Sequence, residues 1–362
     1  MSAPIDSPRA VRPGEELDLD KLGSFLSNAL GGELAAPLDV QQFPSGHSNL
    51  TYLVRARFSN GEERQLVVRR PPFGNRVKTA HDMGREHRVL TALSPYYDKA
   101  PKPIVTCEDE SIIGAPFYAM ERISGVILRR KTPPGVELTP ATLSGVATSF
   151  VDALVELHEL PLESTGLASL GKPLGYVERQ VTGWAKRYAD AKTDEIPSIE
   201  RTSQWLVANM PESRQASVIH NDFKYDNLVL DASDLTKIVG VLDWEMATVG
   251  DPLMDLGTAL AYWVQSDDPE AVQTYTFGPT NLPGSPKRKE ILEQYAKKRP
   301  GVVPDDMRFY YVFALFKNAV VAQQIYARYK RGATTDERFA MMIFAVGILG
   351  DAAVQAIDTG TF

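Results

Sequence analysis

The chain is expected to fold as an α+β protein of two lobes, a small β-rich one followed by a larger, mostly helical one. Three observations carry that expectation. From about Asp39 to Arg122 the apolar residues recur with the short period of strands, and a single helical stretch interrupts them. After Gly125 the long periodic segments are helical. The chain has 362 residues and 43% apolar content, which at about 100 to 200 residues per domain suggests two domains.

The elements follow in chain order. Residues 1–38 read as a tail and a leading helix. The lobe at 39–124 contains the strand-like runs "TYLVRARF" (51–58), "RQLVVRR" (64–70) and "FYAMERI" (117–123), with "TAHDMGREHRVLTAL" (79–93) as its helix. Gly125 marks the boundary. The lobe at 125–362 opens with "TPATLSGVATSFVDALVELHEL" (139–160), where Thr139 is the candidate cap, and closes with long helical segments at 304–331 and 335–358. Only residues 218–243 break this pattern. There "LVL" and "IVGVLD" read as a short hairpin.

Composition excludes several function classes. A formal net charge of −7 argues against nucleic acid as the main partner and favours a small molecule. Cys107 is the only cysteine, so it can form no intrachain disulfide or cysteine-based zinc site and reads as a small core or loop residue. Residues 1–14 lack the apolar stretch of a secretory signal. The uncharged apolar run Ala340–Gly350 is far short of the roughly 20 residues that span a bilayer. These features predict a cytoplasmic protein with no membrane contact. His47, His81, His87 and His158 lack metal-ligand spacing, and no Walker or Rossmann glycine pattern is present.

The chemistry concentrates in "SVIHNDFKYDNLVLD", beginning at Ser217. A plain strand connection would use Gly, Pro and Ser, whereas this one holds His220, Asp222, Lys224 and Asn227 between apolar residues. Further on, "IVGVLDWEMATVGDPLMDLG" places Asp243 directly after an apolar strand, so a tight hairpin would gather Asp222, Asn227 and Asp243 at one end of a sheet. Hard oxygen ligands of that kind suit magnesium, which is held by one or two carboxylates together with substrate phosphates. The spacing H-x-D-x-K-x-x-N followed by D is what phosphoryl transfer needs. One Asp accepts the proton of an attacking hydroxyl, while an Asn and a second Asp hold metal.

The runs "HNDFKYDN" and "VLDWEMATVGDPLMDLG" resemble the aminoglycoside phosphotransferase and choline kinase family, whose fold is that of protein kinases. They are most similar to the kinase-like domains fused to acyl-CoA dehydrogenases. The resemblance extends in order through "FPSGHSNLTYLV", "LVVRRPP", "REHRVL", "GAPFYAMERISG" and "QQIYARYKRG", roughly residues 39–332. It implies a two-lobed protein-kinase-like fold and ATP and Mg2+ as cofactors. Asp222 would be the base, Lys224 would reach the transferred phosphate, and Asn227 and Asp243 would be magnesium ligands. His220 would shape the loop, Asp255 would tie it to the next helix, and Asp251 would cap that helix. For the nucleotide it implies a turn built on Gly46, Ser48 and Asn49, with Arg69 in the slot of the usual strand lysine and paired to Glu86. Met120 would lie behind the adenine, and the Glu121 carbonyl and Ile123 amide would read its edge. Arg70, on the other strand face, reads as a surface residue.

For the acceptor, the span Gly284–Arg331 carries eleven Lys and Arg against four acids. Lys317 and Arg328, eleven residues apart, would share one helix face and line a pocket. That favours a hydroxylated and anionic acceptor such as a hydroxyacyl-CoA. A true aminoglycoside kinase and a nucleotide-binding pseudoenzyme are the alternatives.

Overall fold

The computed structural model describes residues 7–44, 49–73, 82–213, 215–334 and 336–362. They fall into two compact units. One holds the described residues up to Ile127 with Val229–Asp234 and Val239–Ala247. The other holds Leu128–Leu228, Leu235–Ile238 and Thr248–Phe362.

In the first unit, helix α1 (Leu19–Leu30) is capped by Asp18, whose carboxylate accepts from the Lys21 amide at 3.1 Å. Strands β1 (Asp39–Gln42), β2 (Leu50–Arg57) and β3 (Glu63–Arg70) follow. Next come helix α2 (Met83–Leu93), strand β4 (Pro103–Cys107), the short helix α3 (Glu110–Ile113) and strand β5 (Phe117–Glu121). The sheet is antiparallel in the order β1-β2-β3-β5-β4. Strand alternation divides its two faces. Tyr52, Val54, Leu66, Val68, Phe117 and Ala119 turn to one side and pack with Leu22 and Leu26 of α1 and Ile113 of α3. Arg69 stands on the opposite face, and its neighbour Arg70 shares the face covered by α1 and α3.

That cover corrects the reading of Arg70 as a surface residue. It is 1% exposed and donates to the carbonyls of Pro71 at 3.0 Å and Ile113 at 2.6 Å. Strand parity placed it on the right face, but α3 lies over that face, so burial had to be offset by hydrogen bonds to backbone oxygens.

The second unit opens with α4 (Pro140–His158), whose cap Thr139 accepts from the Thr142 amide at 3.1 Å. It continues through α5 (Leu162–Thr165), α6 (Tyr176–Ala191), α7 (Pro197–Ala208) and strand β6 (Ser217–Ile219). Strands β7 (Leu228–Leu230) and β8 (Ile238–Val241) form the expected two-stranded sheet, and β9 (Thr248–Gly250) pairs antiparallel with β6. Helices α8 (Pro252–Tyr262), α9 (Glu270–Gln273), α10 (Arg288–Lys298), α11 (Arg308–Lys330) and α12 (Met342–Thr359) complete the chain. The hairpin was expected to belong to the helical lobe, yet most of β7 and β8 groups with the first unit.

The uncharged run Ala340–Gly350 understated the apolar segment at the C-terminal end. Glu337–Thr359 is 23 residues and contains an 18-residue window with a mean hydropathy of 1.9, long and apolar enough by length and composition to cross a bilayer. A core helix passes the same test, and Ala345, Val346, Gly350, Ala353, Ala356 and Ile357 of α12 are buried, packed on α11 and α7.

Gly125 permits the junction between β5 and β7. Val126 and Leu230 exchange backbone hydrogen bonds at 2.8 Å in both directions. A Cβ on Gly125 would lie 2.2 Å from the Leu230 carbonyl oxygen, so no other residue fits without moving the backbone. Gly125→Ala is therefore expected to break this bridge and destabilise the protein by roughly 1 to 3 kcal/mol. The check is the urea midpoint followed by circular dichroism, and an unchanged midpoint would contradict the steric account.

Candidate active site

Alternation within the loop after β6 separates its structural from its polar residues. Phe223, Tyr225 and Asn227 are buried, while Asp222, Lys224 and Asp226 are only half-buried. Phe150 of α4 receives the inward rings, with centroids 4.8 Å from Phe223, 5.5 Å from Tyr225 and 5.1 Å from Trp263. This aromatic bed fixes the loop from below. The same alternation turns Asp222 and Lys224 outward together.

Asp222 is held from several directions. Asn227 Nδ2 donates to its backbone carbonyl and to its Oδ2, each at 2.9 Å, and its own amide donates to His220 Nδ1 at 3.2 Å. Lys224 Nζ lies 3.1 Å from Oδ1 and 2.9 Å from Oδ2. Burial works against the carboxylate, but the Lys224 ammonium outweighs it and holds Asp222 below the usual carboxylate range. Burial also opposes the charge on Lys224, yet Tyr262, Asp222 and Asp226 keep it protonated. The Lys224 ammonium sits 4.8 Å from the Tyr262 ring centroid and 4.9 Å from that of Phe277. Beside it is a cleft with about 200 Å³ of space not filled by atoms, part of it open to solvent, lined among others by Tyr225, Tyr262, Trp263, Phe277 and Thr280.

The backbone beneath this pair is anchored by Asp255 of α8. Its Oδ2 accepts from the His220 amide and its Oδ1 from the Asn221 amide, both at 2.7 Å. His158 of α4 lies 3.1 Å from Oδ2 through Nε2, and its Nδ1 lies 2.8 Å from the Tyr295 hydroxyl. Asp251 caps α8, accepting from the Leu253 amide at 2.9 Å, which fixes Asp255 one turn further on. His158, Tyr262, Phe277 and Tyr295 had not been picked out as site residues in the sequence. Nothing in their local pattern marks them, because the partners lie far apart in the chain.

The first unit carries its own polar cluster. Arg69, 8% exposed, donates through Nη1 to Glu86 of α2 at 2.5 Å and through Nη2 to Asp243 at 3.1 Å. Burial opposes its charge, but Glu86, Asp243 and Glu245 together hold the guanidinium well on the protonated side. Asp243 follows β8 in the left-handed region, with φ of 70°. Asn221 and Asp243 are the non-glycine residues at positive φ among the described residues. Such conformations cost about 1 kcal/mol or more and cluster at functional sites.

Other expected positions divide. Gly46 and Ser48 lie outside the described residues. Asn49 is 2% exposed and its amide donates to Glu245 at 2.9 Å, so that donor serves the protein itself. Met120 is buried in β5, Glu121 ends that strand, and the Ile123 side chain packs on Gly240. Lys317 and Arg328 do not form the expected clamp. Lys317 is 4% exposed and donates to the Asn221 carbonyl at 2.7 Å, whereas Arg328 is exposed near the end of α11. The basic span around them is also largely neutralised by acids elsewhere. Lys298 pairs with Asp152 at 2.6 Å, Lys330 with Asp194 at 2.6 Å, Lys287 with Asp267, and Arg288 with Asp268.

Each unit holds, by itself, an oxygen of the kind magnesium takes. Among the described residues, Asn227 bonds through Nδ2, which leaves Oδ1 as the atom suited to a hard cation. Asp243 commits Oδ1 to Arg69 and is one-third exposed, which leaves Oδ2. No group of three His, Cys, Asp or Glu gathers as a metal cage among the described residues. On either unit, phosphate and water oxygens would have to supply most of the shell of a magnesium ion, as magnesium prefers. Arg69 Nε is buried without a hydrogen-bond partner among the described residues, and the fork suits phosphate oxygens.

Similarity to known proteins points to the phosphotransferases. The profile described as "Phosphotransferase enzyme family" matches residues 39–291. The chain is 35% identical over 326 residues to mouse acyl-CoA dehydrogenase family member 10, covering 90% of this chain and 30% of that protein. It is 33% identical over 354 residues to human acyl-CoA dehydrogenase family member 11, covering 95% and 44% respectively. The chain thus spans less than half the length of these curated relatives. Among solved structures, one from Ralstonia eutropha, named a candidate aminoglycoside phosphotransferase, is 27% identical with a TM-score of 0.75, covering 94% of this chain and 99% of that one. Choline kinase from Cryptosporidium parvum, 14% identical with a TM-score of 0.58 over 89% of this chain and 91% of its own, shares the kinase-like fold.

The buried His158 gives a testable pH dependence. Burial lowers its pKa although Asp255 pulls the other way. The folded state therefore binds a proton less readily than the unfolded chain, whose histidines titrate near about 6.5. Stability is fully present above that value and falls as pH drops below it. Urea midpoints at pH 7.5 and 5.5 should diverge more for the parent than for His158→Gln. Equal divergence would remove His158 as the titrating group.

Proposed function

This chain belongs to the phosphotransferase enzyme family, and from that premise we propose an ATP-dependent kinase that transfers the γ-phosphate to a hydroxyl of a small molecule. The observation that carries the proposal is the ionised Asp222, oriented by Asn227 and flanked by a charged Lys224. A pure nucleotide binder has no need of that base.

Asp222 accepts the hydroxyl proton of the acceptor as its oxygen bonds to the γ-phosphorus. The bond from phosphorus to the bridging oxygen breaks, and ADP leaves with that electron pair. Lys224 balances negative charge on the group in transit. Arg69 grips nucleotide phosphates from the first unit, with Met120 behind the adenine and the Glu121 carbonyl and Ile123 amide at its edge. Asn227 and Asp243 would each supply an oxygen to magnesium, whose charge would offset that of the phosphates.

The finer reading of the acceptor is a hydroxylated anion such as a hydroxyacyl-CoA. Support comes from the relatives named as acyl-CoA dehydrogenase family members and from the half-buried cation Lys224. The charge excess of Gly284–Arg331 adds none, because its cations are largely paired. An ATP-consumption assay with added magnesium, run against panels of hydroxyacyl-CoAs and aminoglycosides, tests both levels. Turnover with either panel supports the kinase, preference for aminoglycosides rejects the anionic acceptor, and no turnover with any hydroxyl compound rejects the kinase.

Asp222→Asn is expected to lower turnover by about 10² to 10⁴ while leaving ATP affinity nearly unchanged. Equal turnover in variant and parent would remove Asp222 from the role of base. Arg69→Met should weaken ATP far more than adenosine in calorimetric titrations, since only ATP presents the charge. Matching losses would reduce Arg69 to a structural partner of Glu86.

A further inference from the structure

We propose that Lys317 is a positioning residue whose ammonium fixes the Asn221–Asp222 peptide and, through it, the Asp222 carboxylate. The role rests on the phosphotransfer reading of Asp222. A lysine in the middle of α11 among Leu315, Phe316, Ala319 and Val320 is costly unless its charge is used. Here Nζ donates to the Asn221 carbonyl at 2.7 Å. That carbonyl belongs to the same peptide as the Asp222 amide, which in turn donates to His220 Nδ1.

Asn221 is the residue that most needs holding. Its φ of 66° lies in the left-handed region, and it sits immediately before the base. Three helices grip it separately. Asp255 of α8 takes its amide at 2.7 Å, Lys317 of α11 takes its carbonyl, and the Tyr176 hydroxyl of α6 donates to its side-chain Oδ1 at 3.2 Å. With amide, carbonyl and side chain all engaged, the peptide plane has one orientation, and the direction in which Asp222 leaves the backbone follows from it. Of the three grips, Lys317 alone brings positive charge.

That charge is poised to be lost. Burial pushes the Lys317 ammonium down to about 8, with Asp222 and Asp255 pulling it up and Lys224 pushing it down. These are the charged groups that face it from the 220–227 loop and from α8; Tyr176 faces the same residue from α6. Below that pH the ammonium holds the carbonyl as a charge-assisted donor. Above it a neutral amine remains, and turnover should fall on the alkaline side.

The test uses the full chain and two variants, Lys317→Met and Lys317→Arg. The first measurement needs no turnover: the 13Cγ resonance of Asp222 is followed from pH 6.5 to 9.5. The parent should show a step with a midpoint near 8, absent in both variants. The second is kinetic, with the best acceptor from the panels above. Lys317→Met should lower kcat by about 10- to 100-fold at unchanged KM for ATP, and Lys317→Arg should keep most of kcat but lose the alkaline limb. A parent with no step in the Asp222 resonance overturns the proposal even if Lys317→Met fails to fold. So does Lys317→Met with the parent's kcat and alkaline limb. A step present in the parent without any phosphotransfer would support the grip on the peptide and overturn the kinase reading instead.

Discussion

Two consecutive backbone amides, those of His220 and Asn221, donate to the two oxygens of one fully buried carboxylate, Asp255. Much of the second unit's polar architecture follows from that fork. A buried carboxylate is tolerable only if its lone pairs are satisfied, and His158 completes the set. Asp251 places the acceptor by starting α8 one turn earlier. With both amides committed, Asn221 can persist in a conformation that a free loop would leave, and the next residue, Asp222, is presented in a fixed direction. Phe223 and Tyr225 then return the chain to the aromatic bed on Phe150.

The sequence was most informative where chemistry is local. His220, Asp222, Lys224 and Asn227 lie within eight residues, so their type and spacing were visible without knowing the fold. Strands β2, β3 and β5 and helix α4 were legible because alternation and a threonine cap are short-range signals. Partners distant in the chain were not. His158 reaches Asp255 across 97 residues, and no periodicity announces it. Arg70 shows the same limit at shorter range: parity gave its face, but only the folded chain supplies the α3 lid. Lys317 was noticed as a cation in an apolar helix and given the wrong partner, since one-dimensional spacing yields a helix face and not the neighbour across from it. Gly46 and Ser48 fall outside the described residues.

Charge counts along a window proved a poor guide to a surface. Residues 284–331 look strongly basic when isolated, yet Asp152, Asp194, Asp267 and Asp268 meet several of those cations from other parts of the second unit. The Lys298, Lys330 and Lys287 pairs are exposed and add little stability, whereas Arg288–Asp268 is buried. Their effect here is to flatten a potential that the linear sequence suggested would be steep. The cation that does remain next to the candidate base is Lys224, held over the rings of Tyr262 and Phe277.

Arg85 and Glu86 are successive residues of α2, and they grip the short run after Asp243 from both sides. Glu86 takes the Trp244 amide at 3.1 Å, while Arg85 donates to the carbonyls of Glu245 and, at 2.6 Å, of Ala247. Glu86 also carries Arg69 of β3. Strand, helix and turn are thereby braced as a truss, with no member able to slide along its neighbour without shearing a charged strut. In mechanical terms the Asp243 carboxylate has no compliance of its own: its stiffness is that of the whole brace.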